Sequence, residues 1–172
     1  QYSRPSDYLS QIVQVDINRV INDTLVLVKH DLSRKRIRVA LDLRAATPVG
    51  GNHQQFQQVL INLIVNATHA MEDGGQLKIR SRNWRDQGVL LTVSDNGCGI
   101  DAGVLPRIFD PFYSKTKGGT GLGLSVSYGI LQRYGAEIEV RSRPGIGSTF
   151  FVWLRKNPSI DEAGDALIRS IV

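Results

Sequence analysis

The sequence is poor in cysteine and contains no long apolar run. Its single cysteine, Cys98, excludes an intramolecular disulfide and a zinc site built from several cysteines, and it agrees with a reducing compartment. No apolar run reaches the roughly 18 residues that a membrane-spanning helix needs. Neither a signal peptide nor an initiating methionine is present. We therefore expect a cytoplasmic piece of a longer protein, with membrane anchoring of the parent protein left open.

The composition is that of an ordinary globular domain. The chain has 172 residues, of which 41% are hydrophobic and 22% charged, enough for one well-packed domain. The net charge of +5 suits an anionic ligand. The basic residues are scattered, however, and are not interleaved with aromatic residues, so we expect no nucleic-acid partner.

The apolar periodicity predicts an α/β two-layer sandwich. Helical spacing is found over 16–32, 57–71 and 122–134, and strand patterns over 36–43, 76–84, 88–95, 136–143 and 148–155. Most successive strands are joined by short turns, which favours a mixed, mainly antiparallel sheet with helices on one face. We expect a lead-in over 1–15, one domain over 16–156 and a C-terminal tail over 157–172.

The helix predicted over 57–71 carries an unusual polar stripe. Gln58, Asn62, Asn66 and His69 align beside a broad apolar face. An asparagine offers a neutral oxygen of the kind that suits Mg²⁺, which takes few protein ligands besides substrate phosphates. From this helix alone, surface side chains bonded to water or to a neighbouring loop are the more common explanation of the stripe.

Two glycine-rich segments follow. Asp95, in DNGCGI, stands at the end of a strand, where its carboxylate can accept a hydrogen bond from an exocyclic amine and the glycines admit a flat ring. An ordinary turn explains that segment as well. The glycines of 118–123 precede a helix and can present N–H groups to phosphate, with Lys115 and Lys117 just upstream. The segment fits neither the P-loop nor the Rossmann pattern, and by itself it also fits a flexible connector.

Taken together, the segments resemble the ATP-binding catalytic domain of sensor histidine kinases, a member of the GHKL superfamily with the Bergerat fold. The resemblance covers roughly residues 16–155. The matching motifs, in the family's order, are NLIVNA at 62–67, DNGCGI at 95–100, IFDPFYSKT at 108–116, GTGLGLS at 119–125 and GSTF at 147–150.

The resemblance implies a role for each matched residue. Asn66 would be the Mg²⁺ ligand, Asn62 would lie near the metal and phosphates, and His69 would contact phosphate. Asp95 would receive the adenine amine, with Thr149 supporting the base through a water. The adenine pocket would further include Gly97, Gly99 and Ile100. The lid and its phosphate-facing end would include Lys115, Lys117, Gly119, Thr120, Gly121, Leu122, Gly123 and Leu124.

The resemblance also implies roles for two phenylalanines and the identity of the ligands. Phe109 and Phe112 would fold the lid and contact partner helices, although simple core packing explains them equally well. The implied ligands are ATP and Mg²⁺.

Asn62 distinguishes a kinase from an ATPase. Members of the superfamily that activate water carry a glutamate as general base at this position, whereas an amide cannot take a proton at neutral pH. We therefore predict a protein histidine kinase. None of His30, His53 and His69 fits the phosphoacceptor pattern, so the acceptor would belong to a separate dimerisation domain.

The predicted partners are that histidine-bearing dimerisation domain and a response-regulator receiver domain. The parent protein would be a homodimer and the present chain a monomer. Two alternatives stay open: an anti-sigma-type serine kinase, and a non-catalytic module that binds nucleotide and pairs with partners.

Overall fold

The computed structural model describes residues 12–111, 113 and 123–158. Three helices and seven strands are formed within these residues. The helices are α1 (Ile17–Arg34), α2 (His53–Ala70) and α3 (Gly123–Arg133), with a short 3-10 turn at Leu105–Arg107. The strands are β1 (Val13–Val15), β2 (Arg38–Leu43), β3 (Val49–Gly51), β4 (Gln76–Trp84), β5 (Gly88–Asp95), β6 (Glu137–Arg143) and β7 (Gly147–Arg155).

Five of the strands form one sheet in the order β2-β4-β5-β7-β6. β2 pairs with β4 in parallel, and the other three pairings are antiparallel. Side chains alternate between the two faces of a strand. Leu77, Leu91, Phe150 and Val152 are buried on the face that the helices cover, while Phe151 stands on the opposite face. The predicted two-layer sandwich with a mixed, mainly antiparallel sheet is therefore confirmed.

α2 is the central helix of the helical layer, because it packs against both α1 and α3. It begins four residues earlier than the predicted 57, because Asn52 caps it: the Asn52 side chain accepts a hydrogen bond from the Gln55 amide at 3.0 Å. Phe56, Leu60 and Leu63 from its apolar face are buried in the core. Each fully buried side chain of this size stabilises the fold by about 1.5–3 kcal/mol.

A separate two-stranded sheet was not predicted. β1 pairs antiparallel with β3, so that Val15 lies opposite Val49, and both side chains are buried. The sequence predicts a lead-in over 1–15 and no strand over 49–51. Three-residue strands are too short to show an alternating pattern, so tertiary packing decides this pairing. Within the described residues, no helix has the length and apolar character needed to cross a membrane.

Candidate nucleotide-binding site

The polar stripe of α2 lies beside the first turn of α3. The side-chain nitrogen of Asn62 donates hydrogen bonds to the Gly123 carbonyl oxygen at 2.8 Å and to Ser127 Oγ at 3.0 Å. Its oxygen accepts a bond from Gln58 Nε2 at 2.9 Å. Ser127, which is fully buried, also donates to the Gly123 carbonyl at 2.9 Å. Asn62 therefore joins the end of the second glycine segment to the middle of α2.

Asn66 lies one turn further along α2 and is half-buried. Its side-chain amide makes no hydrogen bond to any other residue in the described part of the chain, in contrast to Asn62. His69 follows in the last turn and is exposed. An uncommitted amide oxygen suits Mg²⁺, which takes most of its remaining ligands from water and phosphate. Residues 12–111, 113 and 123–158 contain no cluster of three His, Cys, Asp or Glu residues that would form a metal site by itself.

Asp95 ends β5 on the face that the helices cover. It lies in one row across the sheet with Leu77 on β4 and Ser148 on β7. Its Oδ1 accepts a hydrogen bond from the Gly97 amide at 2.9 Å. Burial raises the pKa of Asp95 above its ordinary value, and backbone N–H groups of Gly97 and Ser148 oppose the rise only in part. Asp95 is thus a buried acceptor placed by rigid structure, as predicted.

The loop after Asp95 is held from two sides. On the α2 side, the Cys98 amide donates to the Ala70 carbonyl at 2.9 Å. On the β6–β7 side, the Cys98 carbonyl accepts from the Gly145 amide at 2.7 Å, and the Ile100 amide donates to Ser142 Oγ at 2.7 Å. The loop therefore has a fixed position between the C-terminal end of α2 and the β6–β7 turn.

Glycine is required at two positions of this loop. A Cβ atom on Gly97 would stand 2.3 Å from the Ala70 carbonyl oxygen. Gly99 has a φ of +73°, and a Cβ there would stand 2.1 Å from the Arg143 carbonyl oxygen. Backbone blocks both positions, so the close approach depends on the absence of side chains. Gly97, Gly99 and Ile100 are thus part of one loop anchored beside Asp95.

The structure corrects the position of Thr149. Its hydroxyl lies 2.7 Å from Ser94 Oγ on the open face of the sheet, opposite to the face that carries Asp95. Ser148 lies directly beside Asp95 and is buried, with only 4% of its surface exposed. Thr149, which is predicted to support the base through a water, therefore does not lie beside Asp95, and Ser148 occupies that place. The alternation of a strand puts neighbouring residues on opposite faces.

Part of the predicted lid and of the second glycine segment lies outside the described residues. This applies to Phe112, Lys115, Lys117, Gly119, Thr120, Gly121 and Leu122. Gly123 and Leu124 begin α3, where Leu124 packs against the core. Phe109 is partly buried, with its ring centroid 5.5 Å from that of Tyr128 and 6.5 Å from that of Phe150. Core packing accordingly accounts for Phe109 in this domain.

The two ends of the candidate site are spaced along α2. Gly123 is bonded to α2 at Asn62, and the loop of Asp95 is bonded to it at Ala70. Eight residues of helix separate these points, which is about 12 Å at 1.5 Å per residue. A buried carboxylate thus lies at one end and a helix N-terminus with an amide stripe at the other. This arrangement fits an elongated ligand with a flat base and an anionic tail.

Comparison with known protein families shows which family this chain belongs to. Residues 51–158, more than half of the chain, match the family described as histidine kinase-, DNA gyrase B-, and HSP90-like ATPase. This chain belongs to that ATPase family. The predicted resemblance is confirmed, and the family membership accounts for the paired glycine segments around one helix.

The relatives of this chain include a histidine-protein kinase and a sensor kinase. It is 36% identical over 159 residues to the signal transduction histidine-protein kinase AtoS of Escherichia coli (strain K12), covering 92% of this chain and 26% of AtoS. It is 39% identical over 169 residues to the sensor kinase CckA of Brucella abortus (strain 2308), covering 88% of this chain and 18% of CckA. The chain thus spans about a quarter of the length of AtoS and less than a fifth of the length of CckA.

Solved structures show the same architecture. The catalytic domain of histidine kinase ThkA, in a nucleotide-free form, matches with a TM-score of 0.77 and 28% identity, over 86% of this chain and 97% of that one. Histidine kinase ThkA in complex with the response regulator protein TrrA matches with a TM-score of 0.74 and 26% identity, over 86% of this chain and 42% of that one.

Proposed function

We propose that this chain binds MgATP and presents the γ-phosphate to a histidine of a separate dimerisation domain of its parent protein, for relay to a response regulator. The observation that carries the proposal is the arrangement along α2. A buried carboxylate, Asp95, lies at one end, and an amide stripe bonded to the start of α3 lies at the other. The named relatives are histidine kinases, and one matching structure contains a response regulator.

The residues of this chain would act mainly by holding the substrate. Asp95 would accept a hydrogen bond from the exocyclic amine of adenine, and Ser148 stands beside it. The N-terminus of α3 would face the outer phosphates, and His69, nearer the base-binding end of α2, would contact a phosphate closer to the nucleoside. Asn66 would hold Mg²⁺ through its free amide oxygen. When bound, Mg²⁺ neutralises the charge on the phosphate oxygens.

Phosphoryl transfer then needs little covalent chemistry from this domain. A histidine nitrogen would attack the γ-phosphorus in line, the bond between that phosphorus and the bridging oxygen would break, and ADP would leave. Positioning of the two reactants supplies most of the acceleration. The amide of Asn62 cannot act as a general base for water, which favours transfer to histidine over hydrolysis.

The proposal extends to assembly and place of action. The parent protein would form a homodimer through its histidine-bearing helices, and this chain by itself would be a monomer. Because ATP is a cytoplasmic nucleotide, the proposed reaction takes place in the cytoplasm.

The first experiment measures nucleotide binding. Isothermal titration with ATP, with and without Mg²⁺, is carried out on the wild type and on Asn66→Ala. Binding by the wild type should tighten with Mg²⁺, and Asn66→Ala should remove most of that dependence. Asn22→Ala is the matched control, since Asn22 is exposed on α1, outside the site. Equal Mg²⁺ dependence in the wild type and in Asn66→Ala would refute the metal role of Asn66.

The second experiment tests the reaction class. The chain is mixed with the dimerisation domain of the parent protein and ATP labelled at the γ-phosphate. We expect a label on that domain which is stable to base and labile to acid, as phosphohistidine is. An acid-stable label would indicate a serine kinase, and tight ATP binding without any transfer would indicate a non-catalytic module.

A further inference from the structure

Ser142 is a hydroxyl that connects three parts of the base-binding end. It lies on β6 in the same sheet row as Ser148 and Asp95. Ser142 Oγ accepts a hydrogen bond from the Ile100 amide at 2.7 Å and donates one to the Gly147 carbonyl at 3.1 Å. It also lies 2.7 Å from Ser148 Oγ. No sequence motif singled out this residue.

The inventory of hydrogens suggests a direction for the Ser142–Ser148 bond. A serine hydroxyl has one hydrogen to donate and two lone pairs to accept with. Ser142 gives its hydrogen to Gly147 and uses one lone pair for Ile100. By distance alone either serine could donate. Because the Gly147 carbonyl can only accept, we assign the Ser142 hydrogen to it, and Ser148 then donates to Ser142. The hydrogen of Ser148 is thereby committed, and its oxygen offers only lone pairs to a ligand.

With this hydrogen-bond direction, the side chains at the base-binding end offer only acceptors to a ligand. Ser148 is paired directly with Asp95, whose ionised carboxylate also only accepts hydrogen bonds. Two neighbouring acceptors match the two hydrogens of an exocyclic amine at position 6 of the base. Adenine has a 6-amino group, whereas guanine has a 6-carbonyl oxygen at that position. A guanine carbonyl would face two acceptors with no donor between them.

We propose that Ser142 is a positioning residue that determines base specificity, by holding the hydrogen of Ser148 away from the ligand. The proposal rests on the proposed nucleotide-binding function and deepens it. Without the Ser142 hydroxyl, the Ser148 hydroxyl is free to rotate and donate to a guanine carbonyl. The Ile100 amide also loses its partner, which loosens the loop that follows Asp95. Selection of adenine over guanine should therefore decrease.

Titration of ATP and GTP against Ser142→Ala tests the proposal. The ratio of the GTP to the ATP dissociation constant should fall about fivefold from the wild-type value, a change expected from one altered hydrogen bond. Ser142→Thr keeps the hydroxyl on a strand that tolerates branching, and it should keep the wild-type ratio. Ser94→Ala is the matched control. It removes a hydroxyl from a pair with the same 2.7 Å separation, Ser94 and Thr149, on the opposite face of the sheet.

The outcomes separate this inference from the proposed function. An unchanged ratio in a folded Ser142→Ala variant, or an equal loss in Ser142→Thr and Ser142→Ala, would overturn the role of the Ser142 hydroxyl. The same decrease in Ser94→Ala would also overturn it. Failure of the wild type to bind either nucleotide would instead refute the proposed function.

Discussion

The side-chain amide of Asn62 donates a hydrogen bond to the backbone carbonyl of Gly123, across 61 residues of sequence, at 2.8 Å. A carboxylate at position 62 could not make this bond, because it has no hydrogen to donate at neutral pH. The amide therefore attaches α3 to α2, in addition to its implied place near the phosphates. The residue that replaces a general base at position 62 thus provides the hydrogen bond that joins α3 to α2.

We expect Asn62→Asp to destabilise the domain by about 1–3 kcal/mol, because the change leaves acceptors facing the Gly123 carbonyl. It should also weaken ATP binding, since the new negative charge would lie beside the proposed triphosphate site. Urea unfolding and ATP titration measure the two effects. Gln58→Ala, which removes only the exposed partner of Asn62, should stay within about 0.5 kcal/mol of the wild type. Equal stability of Asn62→Asp and the wild type would contradict the attachment role.

Asp95→Asn should stabilise the nucleotide-free domain while weakening ATP binding. Burial raises the pKa of Asp95 above the ordinary 3.8, so the folded state binds this proton more tightly than the unfolded state does. The ionised carboxylate therefore lowers stability at neutral pH, and this cost disappears as the pH falls through the raised pKa and below 3.8. The stability gain of the variant should accordingly be present near neutral pH and shrink in acid.

The affinity of Asp95→Asn for ATP should fall at least tenfold, as expected for a lost hydrogen bond to a charged group of about 1.5–3 kcal/mol. Thermal unfolding as a function of pH and ATP titration near neutral pH test the two halves of this prediction. Unchanged ATP affinity would remove Asp95 from the base-binding site. A folded variant that is less stable than the wild type at neutral pH would contradict the burial argument.

Gly97→Ala should lower the free energy of unfolding by about 1–3 kcal/mol, because the new Cβ would meet the backbone of Ala70. Neither segment can move away without breaking the hydrogen bond between the Cys98 amide and the Ala70 carbonyl. Gly103→Ala is the control, since nothing lies within 4 Å of a Cβ atom there. Denaturant unfolding of both variants gives the comparison. If Gly97→Ala and Gly103→Ala unfold alike, the loop is not held as closely to α2 as described.

Ser148→Ala should weaken ATP binding about fivefold, the loss expected for one hydrogen bond to the ligand or to its water. Thr149→Val removes a hydroxyl from the opposite face of the sheet and should leave the affinity within about twofold. Titration of both variants with ATP checks the reassignment from Thr149 to Ser148. A larger loss in Thr149→Val than in Ser148→Ala would restore the original assignment.

Much of the fold could be predicted because local patterns agree with the tertiary structure. The strands of the two hairpins lie within a residue of their predicted bounds, and α1 begins where the helical spacing does, with Asp16 accepting bonds from the Asn18 and Arg19 amides. The pairing of β1 with β3 was missed, because three residues carry too little periodicity to reveal a strand.

The assignment of Thr149 failed for a different reason. The run over 150–154 is apolar at every position, so its alternation does not show which residues face the helices. Pairing with β5 decides the matter: Asp95 lies opposite Ser148, and Ser94 lies opposite Thr149. A shift of one residue would have exchanged the two faces.

The sequence by itself determined the kinds of chemistry that this protein carries. Caps, glycine positions and apolar spacing depend on near neighbours, and so do the amide stripe of α2 and the carboxylate at the end of β5. Tertiary structure alone decided which groups meet. The bond between Asn62 and Gly123, and the row of Asp95, Ser148 and Ser142, join residues far apart in the chain. Such contacts depend on strand register and helix packing, which no local pattern encodes.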